Sequence, residues 1–171
     1  MSKIVIALAL AIASPTTADE AVQRFVDILI LGALQPPHHC EMEVIKPPNQ
    51  LSYWTVVFIN RRPNAFFAID TGFSGSLSIP RAYIEGLVAN GTIDTRLDRR
   101  GSDVTSRLAD GSLVTEPTIL LREIILPGCR VFSNVVAAIS DGGIPLIGEG
   151  VLSRFRSASI DHVKMRLILD P

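Results

Sequence analysis

The chain has 171 residues, 47% of them apolar, with 17 acids against 16 bases and a formal net charge of −1. That is enough chain for one domain with its own core, and too apolar for a disordered polymer. The even charge excludes a protein that holds nucleic acid through a basic excess.

Lys3, the apolar run 4–13 and the small residues Thr16 and Ala18 read as an export signal over 1–18, cleaved after Ala18. The run is shorter than the about 20 apolar residues of a resident membrane helix. The expectation is therefore an exported product, periplasmic or secreted, with no stable membrane insertion. Residues 19–51 form an N-terminal extension. In it Val22, Phe25, Val26 and Leu29 recur at helical spacing, with Asp19 as N-cap and Gly32 and Pro36-Pro37 as the stop. The stretch 26–34 also alternates as a strand does. His38-His39-Cys40 has no second ligand cluster at zinc-like spacing and reads as a loop, so no metal and no other cofactor is expected. Cys40 and Cys129 are free to pair in an oxidising compartment, but sequence does not show that they meet.

Residues 53–59 are rich in strand formers, Trp54 among them as a core residue. The segment Arg61-Arg62-Pro63-Asn64 reads as a turn, and 65–70 as the returning strand. This hairpin delivers Asp70 to its far end. A short strand follows at 77–80. A helix then opens on Pro80 as its first turn, presents Ala82, Tyr83, Ile84, Leu87 and Val88, and stops at Asn90-Gly91. Residues 92–103 are polar and read as a surface excursion, with Arg99-Arg100, like Arg61-Arg62, in a solvated loop.

From Val104 the pattern is β. Two short strands flank Asp110-Gly111, a pair suited to a type I′ turn. Two more strands fill 118–140 and turn at Pro127-Gly128. Residues 144–155 read as a strand end, a glycine and a short helix, and 158–169 as one or two strands that include His162. The sum is a mostly-β domain with two short helices, closer to a barrel than to a doubly wound sheet.

Asp70 ends an apolar run and is followed at once by Thr71 and Gly72. A carboxylate there finds a partner, shifts its protonation or works. Ser74 and Ser76 have no histidine placed as a base, which argues against a serine hydrolase. Three features stand in one order: "DTGFSGSLSIP" at 70–80, the "RLADGS" hairpin at 107–112, and "PLIGEGVLSRF" at 145–155. In that order the chain resembles the retropepsin-like aspartic proteases over about 52–169. It is most similar to bacterial and archaeal single-domain members with a phenylalanine after the DTG.

The resemblance implies a closed β-barrel with short helices over 52–171, one lobe per chain. It implies an aspartic endopeptidase acting on extended peptides, without metal or cofactor. The chain carries one DTG, and "SDGG" at 140–143 lacks a hydroxyl residue after its acid. The catalytic pair then needs Asp70 from each of two chains, a homodimer. Thr71 would brace the two loops across the axis, and Gly72 would admit close backbone approach. Phe73 and Ser74 on the floor, with Ala109, Asp110 and Gly111 at the tip of a flap, would face substrate. Leu146, Ile147 and Gly148 would support the loop from behind. Pepsin-like enzymes carry a serine where Phe73 stands. Losing that hydroxyl's bond to the charged form points to activity nearer mildly acidic or neutral pH than strongly acidic pH. The alternative of a different class is an inactive barrel that binds extended peptides or mediates dimerisation.

Overall fold

The computed structural model of the chain describes residues 23–24, 27–28, 30–31, 39–107 and 111–171. The export signal, the Asp19 cap and the Gly32 and Pro36-Pro37 stop lie outside them. The described residues between 23 and 31 are helical. Ile30 is buried there in a small cluster with Phe58 and Ile125.

Six strands close a barrel: β2 (Trp54–Ile59), β3 (Arg62–Asp70), β10 (Leu146–Gly148), β4 (Leu77–Pro80), β9 (Arg130–Ser140) and β8 (Thr118–Leu126). Closure comes from β8 returning to β2, with Phe58 opposite Ile125 and Ile59 opposite Ile124. Inside, Phe67, Leu77, Ile79, Leu121, Ile124 and Ile147 are fully buried. Each contributes about 1.5–3 kcal/mol of burial, and together they fix the register. Strand β5 (Arg99–Arg100) adds to β8, and β6 (Val104–Arg107) and β7 (Leu113–Glu116) form a separate hairpin.

The chain ends build a second sheet in the order β1 (Cys40–Glu43), β12 (Arg166–Asp170), β11 (Ser157–Asp161). Part of the N-terminal extension thus pairs with the last strand. Cys40 and Cys129 form a disulfide that ties β1 to the turn between β8 and β9.

Three local expectations are corrected. The β2–β3 turn is Asn60-Arg61, both at positive φ (49° and 66°), not the Arg61–Asn64 segment. Both turn positions need the left-handed region and asparagine tolerates it well. Pro63 instead sits within β3, next to the register shift at Val57/Phe58. Pro80 is the last residue of β4 and the N-cap of helix α1 (Arg81–Ala89), not a residue of its first turn. His162 lies in the turn after β11, where its Nδ1 is 2.8 Å from the Tyr53 hydroxyl, rather than in a strand.

The polar stretch 92–103 is not simply surface. Thr92, Ile93 and Asp98 are buried, and Arg99–Arg100 is a strand. Asp98 holds this segment to the barrel. Its Oδ2 accepts from Asn60 Nδ2 (2.8 Å) and Asp94 N (2.9 Å), and its Oδ1 from Arg122 N (2.9 Å). A buried carboxylate is tolerable because donors surround it.

Candidate active site

Asp70 is the last residue of β3, level with Gly148 of β10 in a parallel pair. β10 lies between β3 and β4 in the sheet. The chain leaving β3 therefore cannot enter β4 directly, and must loop across the end of β10. Residues 71–76 are that loop. The start of helix α2 (Glu149–Leu152) holds it through three backbone bonds: Gly148 N to Ser76 O (3.0 Å), Glu149 N to Phe73 O (2.8 Å) and Gly150 N to Gly75 O (3.0 Å).

Glycines make this cradle possible. A Cβ on Gly148 would collide with the carbonyl oxygens of Phe73 and Gly75 and with the Phe73 ring. A Cβ on Gly150 would reach 2.8 Å from Ser76 N. Of the three residues expected behind the loop, Ile147 and Gly148 are buried and Leu146 is half-buried, level with Ala68 and Ser78.

The half-buried Asp70 carboxylate receives one side-chain hydrogen bond among the described residues, from Gly72 N to Oδ1 at 2.9 Å. Its remaining lone pairs point to no donor of the described chain. Thr71 is exposed beside it. Phe73 and Ser74, with Gly75 to Leu77, form the floor of a cleft of about 310 Å³. The opposite wall is the β6 strand, Val104 to Ser106, and Val136 and Ala138 of β9 close one side. No charged side chain lines this cleft.

The β6–β7 hairpin has antiparallel register, Val104 opposite Glu116 through Arg107 opposite Leu113, with a Thr105–Thr115 hydroxyl pair at 2.9 Å. Gly111 has φ +86°, as a tight hairpin turn requires. Ala109 and Asp110, expected at the tip, lie outside the described residues.

Sequence reading missed the far wall. Val136 and Ala138 face the cleft because β9 pairs in parallel with β4, while Val104 reaches it from the separate β6–β7 hairpin. The unbroken apolar run Val135 to Ala138 marks a strand, but not which site it borders. Gly75 and Gly150 were legible as glycines, though not as members of the cradle.

One solved structure that matches is a crystal structure of a retropepsin-like aspartic protease from Rickettsia conorii. It is 20% identical in sequence, with a TM-score of 0.51, and the match covers 78% of this chain and 91% of that one. The fold is retropepsin-like. No family model matches the chain, and no curated protein does. Within this retropepsin-like fold, the β10–α2 cradle holds the loop that follows Asp70, and residues 73–77 and the β6 strand border one cleft, which Asp70 itself does not line.

No helix among the described residues is long and apolar enough to cross a membrane. The disulfide is compatible with an oxidising compartment.

Proposed function

We propose that the chain is an exported aspartic endopeptidase that hydrolyses peptide bonds as a homodimer, with Asp70 of each chain forming the catalytic pair. The observation that carries this is the Asp-Thr-Gly loop, held by the Gly148–Gly150 cradle and continuing directly into residues 73–77, which floor a cleft whose opposite wall is a hairpin strand. One carboxylate cannot be acid and base at once. Two that lie side by side share one proton, because like charges so close do not both ionise. The ionised oxygen takes a proton from a water, which attacks the scissile carbonyl. The protonated partner donates to the carbonyl oxygen. Collapse of the tetrahedral intermediate returns a proton to the departing amine.

An extended peptide suits the uncharged cleft, adding a strand between the loop and the hairpin. Closure of the hairpin would exclude water. Thr71, exposed beside the carboxylate, is available to a second chain. Phe73 at the serine position favours work nearer neutral pH than strongly acidic pH.

The test is cleavage of a peptide library over about pH 3 to 8. Wild type should cut, Asp70→Asn should not, and a statine-type inhibitor should block the reaction. A dimer that binds peptides yet cuts none across that range would be a binding module instead.

A further inference from the structure

A cavity of about 510 Å³ opens on the barrel away from the cleft, and the two share no lining residue. Its size is that of a small-molecule site, about 300–1,000 Å³. One wall is a single face of α1, where Arg81, Ile84 and Val88 stand at helical spacing. Pro117, Ile119 and Ile139 add apolar surface from the barrel. Ile84 and Ile119 are nearly buried, but Val88 is 38% exposed. The described chain leaves that apolar face uncovered.

The accessible charge on this cavity is positive. Arg81 and Arg100 border it, and both are exposed. Asp98 borders it too, but its side chain is fully buried and its oxygens accept from Asn60 Nδ2, Asp94 N and Arg122 N. The acids that the two arginines reach are exposed ones, Asp141 at 2.9 Å from Arg81 and Asp103 at 3.3 Å from Arg100. Pairs so open to solvent contribute little. A carboxylate carried in on a buried hydrocarbon chain therefore competes with them. A neutral hydrocarbon would leave the guanidiniums unused, and an inorganic anion would leave the apolar wall wet.

We propose that this cavity binds an aliphatic carboxylate. The chain lies against Ile84, Val88, Ile119 and Ile139, and the head is held by Arg81 and Arg100. The site stands apart from the proteolytic reading: carboxylate binding and peptide cleavage succeed or fail separately.

The test titrates hexanoate, octanoate and decanoate into the full chain by calorimetry. Binding should be one to one, with affinity rising about fourfold for each added CH₂. Decanol, which has the same chain without the charge, should bind about tenfold more weakly than decanoate, or weaker still. In the double variant Arg81→Gln/Arg100→Gln, decanoate should fall to the level of decanol, while decanol stays within about twofold of its wild-type affinity. Val88→Asp, which sets a carboxylate on the apolar wall, should weaken decanoate by about tenfold or more. All three positions are exposed, so the variants should melt with wild type in the absence of ligand.

Hydrogen exchange locates the site without any substitution. Decanoate should slow exchange across 95–101, including Gly101, whose N–H is bonded to the carbonyl of Thr118 in the cavity lining. Protection of 73–77 instead would put decanoate in the cleft beyond Asp70 and overturn the inference. So would decanoate that does not saturate, or that binds the double arginine variant as tightly as wild type.

Discussion

Replacing Gly148 by alanine adds one methyl group at the tightest point of the cradle. The new Cβ meets two backbone carbonyls, Phe73 and Gly75, and the Phe73 ring. Carbonyls cannot swing aside as a flexible side chain can, so the loop itself must lift. Overpacking of this kind costs about 1–3 kcal/mol. Lifting also stretches the bonds from Gly148 N, Glu149 N and Gly150 N, each worth about 1 kcal/mol. With part of that loss included, Gly148→Ala should destabilise by about 2–4 kcal/mol, which for a chain of this size is a fall in Tm of roughly 4–16 °C. The control is Gly142→Ala, whose Cβ meets nothing within 4 Å and which should stay within about 0.5 kcal/mol of wild type. Thermal unfolding followed by circular dichroism reads both. Peptide cleavage should fall further than stability alone explains, because the displaced loop carries Asp70. If Gly148→Ala melts with Gly142→Ala and cleaves normally, the cradle does not hold the loop.

Three further outcomes test separate parts of the structure. Asp98→Asn keeps the shape but replaces one acceptor oxygen by an NH₂ donor that faces other donors, and should cost about 2–4 kcal/mol in urea unfolding; a change under about 0.5 kcal/mol would show that the buried carboxylate does not anchor 92–103. Replacing Cys40 and Cys129 by alanine frees a link across 89 residues, worth about 4–5 kcal/mol by loop closure, and a loss below about 1 kcal/mol would contradict that tie. His39 is held above its ordinary value of 6.5 by hydrogen bonds to Asp170 and Glu41, and Asp170 below its ordinary 3.8 by bonds from His39 and Ser157. The His39 contribution is complete below pH 6.5 and fades as pH rises through the raised value. The Asp170 contribution is complete above pH 3.8 and fades as pH falls through the lowered value. The clasp between β1 and β12 is therefore fullest between those two values. NMR titration should find His39 above 6.5 and lowered by Asp170→Asn; a wild-type value at or below 6.5 would refute the pair.

What the sequence made legible was local. Alternating strand formers marked the β2–β3 hairpin, Asn90-Gly91 marked the end of α1, and Gly111 takes the positive φ its Asp-Gly pair suggested. The Asp70 loop was legible because a lone acid after an apolar run, with threonine and glycine behind it, has few ordinary uses. The β2–β3 turn was misplaced because Arg61–Asn64 holds a proline, a common turn residue, whereas Asn60-Arg61 wins on backbone angle. Asp98 was unreadable as an anchor. Its partners come from residues 60, 94 and 122, and only barrel closure brings them together. The disulfide has the same character. Cys40 and Cys129 meet because β1 adds to β12 and lies beside the β8–β9 turn. The cleft side formed by Val136 and Ala138 likewise depends on the pairing of β4 with β9, strands far apart in the chain.

The central claim is that two chains share one catalytic centre. It is tested most directly by adding Asp70→Asn protein to a fixed amount of wild type, under conditions where subunits exchange, and following peptide cleavage. A shared centre predicts that activity falls as the variant is added, because a mixed dimer holds one carboxylate where two are needed. Activity that stays proportional to the wild-type chain alone would contradict it.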